Sequence, residues 1–130
     1  MKLLRRVLMI TPALAAIGYA HATKWTNVSS ASDLVYAIDT DSIAKNSEGY
    51  IEYMAKTTWK TPSPLPGSTA PVAVSVTRYQ IDCGNKQWRA LDTHYQAADG
   101  LSVGVYSPTP DDWASIAPGT VVDAMFQKVC

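Results

Sequence analysis

The sequence predicts an α+β fold that is mainly β: an antiparallel sheet with a C-terminal helix packed on one face and tied by a disulfide. Three observations carry this expectation. Apolar and polar residues alternate from Asp33 onward, Gly84-Asn85 separates two alternating runs, and the final segment switches to helical spacing that ends in a cysteine.

The N-terminus reads as an export signal rather than as part of the fold. Met1 to Arg6 supply a positive start, Val7 to Gly18 an apolar run, and Ala20-His21-Ala22 the small-x-small pattern cut by signal peptidase. A spanning helix needs about 20 unbroken apolar residues, whereas Thr11, Pro12 and Gly18 interrupt this run. Arg5-Arg6 fits the twin-arginine route only loosely, so ordinary unfolded export is expected. Residues 1–22 are thus expected to leave as a signal peptide, and residues 23–130 to form one domain. No cysteine lies at the cleavage site, so neither a lipid anchor nor a membrane span is expected, and the product belongs in the periplasm, the medium or at the cell surface.

Charge narrows the partners. The full chain balances 11 basic against 11 acidic residues, and Lys2, Arg5 and Arg6 leave with the signal, so 8 basic residues face 11 acidic ones at a net charge of −3. A small acidic domain holds no broad basic footprint, which argues against nucleic acid and anionic membranes.

Along the domain, Leu34, Tyr36 and Ile38 line one side of a first strand. Ile51, Tyr53, Ala55 and Trp59 line one side of a second, with Glu52 and Lys56 on its reverse. Asp39 to Gly49 is the polar connection between them, and Thr61 to Pro71, with Pro62, Pro64, Pro66, Gly67 and Pro71, is expected as an exposed loop. From Thr77 to Ala90 a two-residue Gly84-Asn85 turn sets Cys83 opposite Lys86, Ile81 opposite Trp88 and Tyr79 opposite Ala90. Tyr79, Ile81, Cys83 and Trp88 then share the core face, while Arg78, Gln80, Asp82, Gln87 and Arg89 share the other.

After the Pro118-Gly119 break, Val122, Met125, Phe126 and Val129 recur at helical spacing. Thr120 is the expected N-cap, Asp123 completes a capping box, and Lys128 suits the last turn. Cys130 extends the apolar stripe, so the helix presents it to Cys83. With two cysteines in the domain a single structural disulfide is the ceiling, and the distance between them in sequence argues against a redox pair.

Catalytic and metal-binding patterns are thin. His94 is the domain's single histidine and reads as a partly exposed strand residue. Asp39-x-Asp41 lacks the remaining ligands of a calcium loop and is expected to shape a turn, as is Asp111-Asp112 before Trp113. Asn27-Val28-Ser29 matches a short glycosylation pattern that also arises by chance. With no phosphate loop or nucleophile elbow, no cofactor and no enzymatic activity are expected. A sheet with one covering helix leaves a face open to water or to a partner, and the proline-rich loop is a second candidate contact.

Trp25, Ile38-Asp39-Thr40-Asp41-Ser42-Ile43, Tyr79-Gln80-Ile81-Asp82-Cys83, Trp113-Ala114-Ser115-Ile116-Ala117-Pro118-Gly119-Thr120 and Val129-Cys130, in that order, resemble the bacterial surface-adhesin protein E family. The resemblance implies a sheet of about six strands with the helix held to it through Cys83 and Cys130. It further implies adhesion to host extracellular matrix glycoproteins, no cofactor, and room for a homodimer. A periplasmic structural or assembly protein that binds another envelope protein is the alternative, and no ligand-binding residue is assigned.

Overall fold

The computed structural model describes residues 24–108 and 112–130, so the expected signal peptide and Asp111 lie outside the described residues. Six strands form the path of the sheet: β1 (Trp25–Ser30), β2 (Leu34–Asp39), β4 (Ile51–Ser63), β5 (Val72–Asp82), β6 (Gln87–Gln96) and β7 (Ser102–Tyr106), in the order β1-β2-β4-β5-β6-β7. Two short strands extend it: β3 (Ala44–Lys45) pairs with β4 where β2 has ended, and β8 (Ala114–Ser115) pairs with β6 where β7 does not reach. Every pairing is antiparallel. The helix α1 (Val121–Val129) closes the chain.

The expected polar connection from Asp39 to Gly49 is more ordered than its composition suggests. Asp39 caps a 3₁₀ turn over Thr40–Ser42, its Oδ1 accepting from the Asp41 amide at 3.0 Å and from the Lys24 amide at 2.9 Å. Ser42 Oγ accepts from the Met54 amide at 2.8 Å, which steers the chain back onto β4 and starts β3. Asn46 then accepts from the Glu48 and Tyr50 amides, and Gly49 takes the positive φ of the turn.

The β5–β6 hairpin has the expected register, with Tyr79 opposite Ala90 and Ile81 opposite Trp88. Its turn differs. The ladder closes at Asp82 and Gln87, and the four residues from Cys83 to Lys86 make the turn, so Cys83 and Lys86 form no ladder pair. The Asp82 carboxylate captures both the amide N–H and the side-chain amide of Asn85, at 3.1 and 2.8 Å, and the left-handed residue is Lys86, with φ 53°. A two-residue primed turn would need positive φ at Gly84 or Asn85, and neither has it. Farther along, a bulge sets Arg78 against Leu91 and Asp92.

Among the described residues two apolar clusters hold the sheet. The larger centres on Ile38, Tyr53, Ala55, Ile81, Ile116 and Met125, with Val121, Val122, Phe126 and Val129 packed from the helix. Thr120 Oγ1 accepts from the Asp123 amide at 3.1 Å, and Asp123 Oδ2 accepts from the Gly119 amide at 3.0 Å, one residue earlier than a standard capping box. Tyr53 Oη donates to Met125 Sδ at 3.3 Å, so the buried phenol is satisfied by the helix that covers it. Cys83 and Cys130 are disulfide-bonded with Cα atoms 5.8 Å apart. Cys83 packs on the core as expected, whereas Cys130 is exposed at the chain end.

The smaller cluster holds Val72, Tyr95 and Val103, with Trp59, Leu65, Ala70 and Ala97 against it. Trp59 therefore packs apart from Ile51, Tyr53 and Ala55, although it shares their alternation. The expected exposed loop has all four of its prolines exposed, but it is shorter than they suggest. Thr61, Pro62 and Ser63 complete β4, with Ser63 opposite Val72 beyond a bulge, and Leu65 and Ala70 turn inward. A proline is tolerated there because the ladder is already interrupted.

Candidate binding face

Odd-numbered residues of β4 from Ile51 to Ala55 and of β5 from Thr77 to Ile81 point toward α1, so their even-numbered neighbours line a face that no helix among the described residues covers. Met54, Val74 and Val76 are half-buried there, belong to neither core cluster, and give the face an apolar middle. Around them stand Lys56, Arg78, Arg89 and His94.

One polar row crosses this face. Glu52, Gln80 and Arg89 occupy consecutive register positions on β4, β5 and β6. Gln80 Nε2 donates to Glu52 Oε2 at 2.6 Å, Asn46 Nδ2 donates to the same oxygen at 3.0 Å, and Arg89 Nε donates to Gln80 Oε1 at 2.7 Å. The nearly buried Gln80 is thus held between a donor and an acceptor, which sets its amide orientation. These hydrogen bonds, that from Gln80 above all, hold the Glu52 carboxyl below the usual carboxylate range. Arg89 also stacks 4.2 Å over Trp113, which meets Tyr50 at 4.8 Å, so the row pins the β8 segment to the sheet.

The rest of the face is looser. Asp92 lies 3.6 Å from Arg78 and 3.1 Å from His94, and Lys56 sits 4.6 Å over Trp25. His94 is an exposed β6 residue, as expected. Asp39 and Asp41 serve the 3₁₀ turn rather than a shared ligand site, and no group of three or more His, Cys, Asp or Glu among the described residues could hold a metal. Asp112 is exposed, and Asn27 is exposed beside a bulge in β1. Burial drives the Tyr53 and Tyr79 hydroxyls well above the ordinary phenol value, so both remain neutral core residues. No helix among the described residues is long and apolar enough to cross a membrane.

The hairpin register already places Gln80 and Arg89 together, so two members of the polar row are legible in sequence. Glu52, Asn46, Tyr50 and Trp113 join them only through the pairing of β4 with β5 and of β8 with β6, for which no local signal exists.

The same architecture occurs in solved structures. Crystal form II of Haemophilus influenzae protein E superposes with a TM-score of 0.56 at 15% identity, covering 84% of this chain and 95% of that one. The selenomethionine form of Haemophilus influenzae protein E gives 0.55 at 16%, covering 84% and 92%. At such identities the likeness concerns the fold. No curated protein matches the chain. The family model described as surface-adhesin protein E matches residues 25–130, from the first strand to the terminal cysteine, and the chain belongs to that family.

Proposed function

We propose that this chain is an exported, non-enzymatic adhesin-type module whose uncovered sheet face binds a protein partner, a host extracellular matrix glycoprotein. The family match over residues 25–130 carries the reading. The face supports it: an apolar middle of Met54, Val74 and Val76 ringed by Lys56, Arg78, Arg89 and His94 has the anatomy of a protein contact, with an apolar centre and a polar rim. Export through residues 1–22, to the periplasm and onward to the surface, is part of the proposal, as is a domain that begins at Thr23.

The test sets the mature protein against purified matrix glycoproteins and against envelope extract in parallel, together with cell fractionation. Val76→Arg and Arg78→Glu should weaken matrix binding at least tenfold, while Gln127→Glu on the helix surface leaves it unchanged. Exclusive capture of an envelope protein, with the chain confined to the periplasm, would overturn the adhesin reading in favour of an envelope accessory.

A further inference from the structure

The exposed large apolar residues among those described, Leu101 at 66%, Val105 at 50% and Tyr106 at 45%, all lie on or beside β7. From Leu101 to Ser107 the segment Leu-Ser-Val-Gly-Val-Tyr-Ser carries no charge and no proline. An uncharged apolar strand at a sheet edge is a template for pairing with another chain. The outer edge of β7 is met by the segment from Leu65 to Ala70, a strap set between Pro64 and Pro71.

Three contacts and two close approaches place the strap there. The Thr69 amide donates to the Val103 carbonyl at 2.8 Å, and the Thr69 hydroxyl donates to the same oxygen at 3.2 Å. Ser68 forms an antiparallel bridge with Gly104. A side chain on Gly104 would collide with the Gly67 carbonyl, so glycine admits the close approach, and a Cβ on Gly67 would sit 3.3 Å from the Val105 carbonyl. The strap is anchored at its base: Ser68 Oγ accepts from the Leu65 amide and donates to the Leu65 carbonyl, at 3.0 and 2.8 Å, and the Leu65 side chain packs on the second cluster.

We propose that residues 65–70 are an edge guard, which occupies the hydrogen-bonding edge of β7 and prevents β7 of a second copy from pairing there. The strand is self-complementary: antiparallel pairing centred on Gly104 sets Val103 of one copy opposite Val105 of the other, with no charge to oppose it. The inference is independent of what the uncovered face binds.

Sedimentation velocity of the mature protein tests it. Thr69→Pro removes the amide donor, and Thr69→Pro with Leu65→Ser also frees the base of the strap. Either variant should self-associate at a concentration at least tenfold lower than the parent, whatever the parent's own state. Thr69→Val keeps the amide and loses only the hydroxyl contact with Val103, and should self-associate far less readily than Thr69→Pro. Adding Val105→Lys to the double variant should restore the parental size by setting charge into the exposed pairing edge. Circular dichroism confirms that each variant keeps its sheet, and where the double variant loses it, Thr69→Pro alone decides. A folded variant of parental size, or association that Val105→Lys does not reverse, overturns the proposal.

Discussion

At one end of the sheet a nine-residue helix covers Ile38, Tyr53 and Ile81 and is bolted through Cys130 to the hairpin turn, while at the other a proline-rich strap covers Val72, Tyr95 and Val103 without a covalent tie. Both solve the same problem, an apolar patch on a sheet too small to bury it alone. A helix this short is marginal by itself in water, and it joins the fold through packing and the bond at its last residue. The strap gains instead from Pro64, Pro66 and Pro71, which narrow the unfolded ensemble. The covalent link of this domain sits on the short helix, whose C-cap residue it fixes to the hairpin turn, and not on the strap.

Cys130→Ser removes the covalent tie of the helix and should have the largest effect. The cysteines lie 47 positions apart, and losing a loop closure of that length costs about 4 kcal/mol in the chain-entropy model. Calorimetry should show a fall in Tm of roughly 10 °C or more with strand content largely retained. An unchanged melting curve would remove the tethered-helix account. Met125→Ala, which leaves the disulfide intact but empties the contact under Tyr53, should cost about 3 kcal/mol, measured by urea unfolding. At the other end, Leu65→Ala removes a half-buried side chain and should cost only about 1.5 kcal/mol. Amide exchange at Thr69 should accelerate well beyond that of β5, since the strap opens without unfolding the sheet.

Thr120→Ala sharpens the helix side, with an expected loss of about 1 kcal/mol from the unmade cap to Asp123. The smallest effect concerns pH. Glu52 titrates lower in the fold than its ordinary value of 4.5, so its contribution is complete above that pH and is lost as pH falls through the lower folded value. Glu52→Gln should flatten the acid limb of the stability profile in that window, whereas an identical slope would show that the row with Gln80 and Asn46 does not hold a charged carboxylate.

Much of this architecture is legible in local patterns. Thr120 and Asp123 announce the helix start, Val122, Met125, Phe126 and Val129 its buried stripe, and the alternation around Gly84-Asn85 the hairpin register, because each depends on residues close together in the chain. The disulfide followed as well, since a domain with two cysteines on converging faces has one bridge to make. The turn itself differs from its Gly84-Asn85 signature: the Asp82 carboxylate competes for Asn85 and shifts the left-handed residue to Lys86, a choice that depends on side-chain geometry.

What periodicity could not reach were contacts whose partners lie far apart in the chain. The row from Asn46 through Glu52, Gln80 and Arg89 to Trp113 gathers side chains from three strands, β4, β5 and β6, and from the residues next to the short strands β3 and β8, and the strap meets β7 more than thirty residues away. Pattern and turn chemistry are properties of neighbours, so they specified β2, β4, β5 and β6, the hairpin register, the helix and the cysteine pair, but not β1, β3, β7 or β8. The full membership of the open face beyond the hairpin, and the guarded edge, arose only when non-local pairing set the lateral order of the strands, because alternation tells a strand which side is wet but not which strand will lie beside it.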